Sequence, residues 1–220
     1  MTVPAPERTS RQHYLAELFQ QARVIPVITI ENVEHAVPLA RALVAGGLRC
    51  LEITLRTSAA PAAVAAIAQN VPEAIVGVGT VLTPADLAHA RALGAHFALS
   101  PGAVPELLDA AAADELAFVP GIATPSELMA ALARGFDILK FFPAVPLGST
   151  AALRALGAPF PHVRFCPTGG IGEAELPQWL ALSNVIAVGG SWLTPLADLR
   201  AGHWHAITDR ARRALAAIGK

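Results

Sequence analysis

Of the sixteen basic residues in the chain fourteen are arginine, and the two lysines are Lys140 and the terminal Lys220. Lys140 stands in Ile138-Leu139-Lys140-Phe141-Phe142-Pro143-Ala144, among the most apolar surroundings of the sequence. Such surroundings disfavour the charged form of an amine, and the neutral amine is the form that attacks a carbonyl carbon. A Schiff-base nucleophile is therefore the first chemistry to consider. The alternative is a lysine paired for structure alone, or one that reaches outward to water. A second set of candidates lies in Cys50-Leu51-Glu52-Ile53-Thr54-Leu55-Arg56. As a strand this run puts Leu51, Ile53 and Leu55 on one face and Glu52, Thr54 and Arg56 on the other. A carboxylate and a guanidinium on an inward face are costly unless paired or used. They read either as a structural ion pair or as an acid/base carboxylate beside a carboxylate-binding arginine.

Four glycine-containing runs could hold the rest of a substrate. Gly77-Val78-Gly79-Thr80 and Ser100-Pro101-Gly102 allow backbone approach and offer a hydroxyl, or they are ordinary turns. Pro167-Thr168-Gly169-Gly170-Ile171 and Gly189-Gly190-Ser191-Trp192 follow consecutive strand candidates. Glycine-rich turns in those successive positions are where backbone N–H groups cradle a phosphate, although tight turns alone would look similar. The histidines are scattered, and no His/Asp/Glu cluster has metal-ligand spacing at the strand ends, so no metal and no cofactor are expected. GxGxxG after a first strand, GxxxxGK[ST] and GxSxG do not occur. Cys50 and Cys166 are far apart in sequence and read as small core residues in a reducing compartment.

The elements that must carry these residues are short β-rich runs alternating with Ala/Leu-rich helical stretches. Strand candidates fall at 24–30, 50–55, 75–78, 97–99, 117–119, 138–142, 163–166 and 185–188. They recur at roughly 20- to 26-residue intervals, about one strand–helix unit each. Thr83-Pro84-Ala85-Asp86 and Thr124-Pro125-Ser126-Glu127 carry helix-start signals, and Gly46-Gly47, Gly94, Gly135 and Gly157 follow helical runs. A helix at about 7–22 precedes the first strand, and another at about 203–218 closes the chain. Eight such units predict an α/β fold, a (β/α)8 TIM barrel with an extra N-terminal helix, over a doubly wound open sheet. In a barrel the chemistry sits where the strands end and the loops to the helices begin. Residues 1–10 are expected as a mobile N-terminal extension and residues 11–220 as a single barrel domain.

Composition limits the partners. A net charge of −1 with no basic stripe argues against nucleic acid or an anionic membrane. The first residues lack a long apolar core, and the other apolar runs stop short of about 18 residues, so neither a signal peptide nor a membrane span is expected.

EITLRT, GVGT, SPG, PGI, KFFPA, CPTGGI and GGSW occur in this order. From about Leu15 to the last helix the chain closely resembles the class I aldolases of the KDPG/KHG family, which act on 2-keto-3-deoxy-6-phosphogluconate (KDPG). The resemblance implies Lys140 as the Schiff-base residue and Glu52 as the acid/base. It implies Arg56 and Thr80 as carboxylate holders, and Pro101 and Phe142 as pocket walls. Thr168, Gly169, Gly170, Gly189, Gly190 and Ser191 would surround the distal hydroxyl and phosphate end, with Arg23 a further candidate there. It also implies a phosphorylated keto-sugar acid as substrate, the Entner–Doudoroff pathway, and a cytoplasmic homotrimer. Two departures are Ala123, where the family often has Ser, and Ser149, where many relatives have Gly. The same chemistry on 4-hydroxy-2-oxoglutarate or on the phosphogalactonate epimer is one alternative. A phosphosugar isomerase or epimerase on the same barrel is another, and a non-catalytic phosphosugar-binding barrel a third.

Overall fold

The structure, a computed structural model, describes residues 9–220, so most of the expected extension at 1–10 lies outside the described residues. Thr9 already caps the first helix, α1 (Ser10–Ala22), its side chain accepting from the N–H of Gln12 at 3.3 Å. The chain then alternates through β1 (Val24–Ile28), α2 (Ala36–Ala45), β2 (Cys50–Thr54), α3 (Ala60–Asn70), β3 (Ile75–Gly79), α4 (Pro84–Ala92), β4 (Phe97–Leu99) and α5 (Pro105–Ala113). Next come β5 (Ala117–Val119), β6 (Gly121–Ile122), α6 (Pro125–Leu132), β7 (Ile138–Phe141), α7 (Ser149–Gly157), β8 (Arg164–Pro167) and α8 (Leu176–Leu180). It ends with β9 (Val188–Gly190), α9 (Leu196–Ala201) and α10 (Trp204–Ala216).

All strand pairings are parallel. A curled half-barrel sheet runs β5-β4-β3-β2-β1-β9, and a second sheet runs β6-β7-β8. Two lone parallel bridges, Phe165↔Val185 and Thr168↔Gly189, link β8 to the segment of β9. Proline has no N–H to give a ladder. Pro120 accordingly ends β5, which spans the expected 117–119, and a short unexpected β6 follows it, while the Pro120 carbonyl accepts from Lys140 N at 2.9 Å. The last strand also differs from expectation: of the run 185–188, Val185 makes only a bridge and Val188 opens a strand that continues to Gly190. Both capping boxes form, with Thr83 paired to Asp86 and Thr124 to Glu127, so α4 and α6 start where their Pro and acidic residues dictate.

Two apolar clusters follow from strand alternation. Leu51, Ile53, Leu139 and Phe141 pack outward against the helices. Ile25, Cys50, Phe97, Leu99, Ala117, Val119, Ile138 and Cys166 face the inside of the curl, together with Leu15 and Phe19 of α1. Phe19 meets Phe97 edge-on at 5.6 Å. The Gln12 side-chain amide donates to Phe118 O at 3.3 Å and accepts from Asp137 N and Ile138 N at 3.2 and 3.1 Å. Helix α1 thus fills the N-terminal side of the curl, and the C-terminal strand ends are left for the polar residues. Among the described residues no helix is long and apolar enough to cross a membrane.

Candidate active site

Glu52 is the third residue of β2 and Lys140 the third of β7, each on its inward face. Lys140 Nζ donates to Glu52 Oε1 at 2.8 Å, and the two side chains are only 3% and 1% exposed. A buried ion pair is not by itself a good stabiliser, because desolvation offsets its attraction. That makes a functional use of the pair the more economical reading. The Phe142 ring lies beside the amine, its centroid 5.6 Å from Nζ.

The close approach of the carboxylate to β3 depends on Gly79. A Cβ there would overlap Glu52 Oε1 and lie 2.8 Å from both Cδ and Cγ. In the sequence Gly79 reads as room for a ligand; in the fold the room belongs to Glu52. The next residue, Thr80, has φ +63°, and a β-branched residue with positive φ is a strained outlier of the kind found at working sites. Its hydroxyl accepts from Arg56 Nε at 3.2 Å, so Arg56 partners Thr80, not Glu52. A structural Glu52–Arg56 pair, one of the two readings of that strand, does not form.

Beside Lys140, Cys166 is its in-register partner on β8. Burial pushes its thiol up to about 12, with the Glu52 carboxylate adding to the effect and Lys140 opposing it. Cys50 is likewise pushed well above the ordinary range, first by burial and then by Cys166 and Glu52. Neither thiol is a nucleophile at neutral pH.

The turns after β7 and β8 lie side by side. Thr168 N donates to Phe141 O at 3.0 Å, Ala144 N to Thr168 O at 2.8 Å and Val145 N to Gly169 O at 3.0 Å. Gly169 and Gly170 have φ of +104° and +81°, and Gly169 faces the Phe142 ring. Thr168 bridges to Gly189, whose missing side chain makes room for the Thr168 hydroxyl. Gly190 backs onto the Trp192 ring, and Ser191 is exposed beyond it. Pro101 follows β4, its backbone pressed by Gly121, whose N–H is held by Ser100 Oγ at 3.1 Å.

Arg23 is not brought to this end. It precedes β1, and its Nη1 and Nη2 donate to Ile186 O and Leu180 O at 3.4 and 3.3 Å. Gly190 aligns with Pro26, so Ser191 is level with Val27, about 13 Å from Arg23 at ~3.3 Å per strand residue. Strand direction decides this: a residue just before a strand lies at the opposite end from the loop that follows it.

A family model described as KDPG and KHG aldolase matches residues 15–210. The chain belongs to this aldolase family. It is 53% identical over 192 residues to the KHG/KDPG aldolase of Escherichia coli (strain K12), covering 87% of this chain and 90% of that protein. The KDPG aldolase of Legionella pneumophila, solved with pyruvate captured at low pH as a covalent carbinolamine intermediate, superimposes with a TM-score of 0.89 at 43% identity. That similarity covers 90% of this chain and 97% of the Legionella chain. The Zymomonas mobilis ZM4 aldolase, solved with 3-phosphoglycerate, gives a TM-score of 0.87 at 40% identity, with 92% and 95% covered.

Within this aldolase fold one inward hydroxyl has no counterpart among the residues that the sequence singles out. Thr29, just past β1, contacts Thr54 Oγ1 through its own Oγ1 at 3.2 Å, one layer above Glu52. The strand pattern of Val27-Ile28-Thr29-Ile30 offers no sign of it, since a half-buried threonine at a strand end is ordinary.

Proposed function

We propose that the chain is a class I aldolase that reversibly cleaves 2-dehydro-3-deoxy-6-phospho-D-gluconate to pyruvate and D-glyceraldehyde 3-phosphate, without metal or cofactor. The observation that carries the reading is the buried Lys140–Glu52 pair at 2.8 Å. Lys140 Nζ attacks the C2 ketone, with Glu52 placed to take a proton from the nitrogen as the carbinolamine forms. Loss of water gives the iminium, which serves as the electron sink. Glu52, directly or through a water, takes the C4 hydroxyl proton; the C3–C4 bond breaks, releasing the aldehyde and leaving an enamine on Lys140. Protonation at C3 and hydrolysis of the imine return pyruvate and the free amine.

Around this pair Arg56 and Thr80 hold the C1 carboxylate, and Pro101 and Phe142 wall the reacting carbons. Thr168, Gly169, Gly170, Gly189, Gly190 and Ser191 receive the phosphate end. Positive-φ glycines beside the start of a following helical segment suit anion binding by backbone N–H groups. Arg23, tied to carbonyls at the far strand ends, has no part in it. We further infer that the two sheets close as one (β/α)8 barrel, a single domain over 11–220, with α1 as the added N-terminal helix. The bridges between β8 and β9 and the Lys140 N–Pro120 O bond support closure. A cytoplasmic homotrimer is the assembly expected of the family; light scattering on the eluting protein tests the trimer.

Turnover of the phosphogluconate substrate, followed by pyruvate release, tests the activity. Wild-type protein is expected to turn over and Lys140→Ala to be inactive; near-normal turnover by Lys140→Ala would sink the reading. The Escherichia coli relative's double name favours a second substrate, 4-hydroxy-2-oxoglutarate, for the same site.

A further inference from the structure

Thr54 is fully buried and gives its single hydroxyl proton to Ile28 O at 2.9 Å. The 3.2 Å contact between Thr29 Oγ1 and Thr54 Oγ1 must therefore use the proton of Thr29. That commits Thr29 as donor toward its neighbour and leaves its two lone pairs as acceptors at the C-terminal mouth of the site. Its position on the sheet gives those acceptors a use. Strand β1 lies between β2, which carries Glu52 and Arg56, and β9, which leads to Gly189, Gly190 and Ser191. Glu52 aligns with Val27, so Thr29 stands two residues, about 7 Å, further toward the mouth.

A substrate whose carboxylate sits at Arg56, whose C4 hydroxyl meets Glu52 and whose phosphate sits at the β8 and β9 turns spans from β2 to β9, and the end of β1 stands between those two strands. The carbon that crosses there is C5, between the cleaved bond and the phosphate-bearing C6. We propose that Thr29 is a specificity-determining residue that accepts a hydrogen bond from the C5 hydroxyl of the substrate. The proposal rests on the aldolase reading above. It also explains how one site can take both a hydroxylated phosphosugar acid and a shorter keto acid. The Lys140–Glu52–Arg56 part is common to both, and Thr29 contributes only when C5 carries a hydroxyl.

The test compares Thr29→Val with wild type on three substrates: 2-dehydro-3-deoxy-6-phosphogluconate, its 5-deoxy analogue, and 4-hydroxy-2-oxoglutarate. One neutral hydrogen bond corresponds to about 3- to 10-fold in kcat/KM. The variant is expected to lose that factor on the first substrate, mainly through KM, and to match wild type on the other two. Thr29→Ser should restore the loss. Wild type alone should show the same 3- to 10-fold preference for the 5-hydroxyl over the 5-deoxy substrate, which keeps the test decisive if the valine variant folds poorly. Equal losses on all three substrates would make Thr29 a brace for Thr54 and overturn the proposal, as would no loss at all. Imine trapping with pyruvate separates the two levels. Wild type that forms no imine defeats the aldolase reading and this inference with it, whereas trapping without substrate discrimination defeats only this inference.

Discussion

Replacing Gly79 with alanine should damage catalysis by displacing the Glu52 carboxylate. The added Cβ would overlap Glu52 Oε1 and lie 2.8 Å from Cδ and Cγ, whereas ordinary contact begins at 3.4 Å. The carboxylate is 1% exposed and bonded to Lys140 at 2.8 Å, so it cannot swing into solvent. It must retreat along β2 or break its bond to the amine, a displacement of several tenths of an ångström to an ångström. Misplacing a reacting group by about 1 Å costs on the order of 100-fold in rate. Overpacking costs about 1–3 kcal/mol of stability, or roughly 3–10 °C in Tm for a chain of this size. Gly79 lies outside the positive-φ glycines, so the effect comes from the collision and not from backbone strain. The assay is steady-state pyruvate release beside a thermal melt. Gly79→Ala should retain about 1–10% of kcat, and Gly172→Ala should be within about twofold of wild type, because its Cβ meets only Glu175 Oε2 at an ordinary 3.7 Å. Normal kcat in Gly79→Ala would refute the idea that Glu52 must be held against Gly79 to work.

Three further outcomes follow from the geometry. Arg56→Ala should lower kcat/KM for pyruvyl substrates by about 10- to 100-fold, the scale of a lost charge-assisted bond, chiefly through KM; an unchanged KM removes Arg56 from the carboxylate site. Ser149 has φ +59°, a conformation costing an L-residue about 1–2 kcal/mol, so Ser149→Gly should raise Tm by about 1–3 °C after the entropy of glycine is allowed for, and a fall in Tm contradicts this. The Cys166 thiol stays protonated in the folded chain up to about 12, while in the unfolded chain it ionises near 8.5–9. The folded state then binds more protons between those limits, and stability falls as pH rises through them by up to ~1.4 kcal/mol per pH unit. Urea unfolding at pH 8 and pH 10 should show a shallower loss in Cys166→Ala than in wild type, and equal slopes would contradict the assignment.

The period-2 pattern of Leu51-Glu52-Ile53-Thr54 makes the inward face of β2 legible in the sequence alone, and the lone internal lysine singles out β7. The capping boxes of α4 and α6 are legible because their signals are local. What the sequence hides depends on contacts between strands. The role of Gly79 requires knowing that Glu52 on β2 leans over β3, and that of Thr29 requires the proton count across β1 and β2. Arg23 reads wrongly as a phosphate-end residue because nearness to a strand in sequence does not tell which end of the sheet a side chain reaches. The fifth strand ends at Val119 as read, but the short β6 beyond Pro120 pairs with β7 through contacts that the sequence does not show.

The formation of a covalent imine at Lys140 is tested most directly by borohydride reduction in the presence of pyruvate, followed by peptide mass analysis. The expected result is a stable pyruvyl adduct on the peptide carrying Lys140, absent in Lys140→Ala and formed slowly in Glu52→Gln. Full aldol cleavage with no adduct on Lys140, or an adduct on Lys220 instead, would contradict the mechanism.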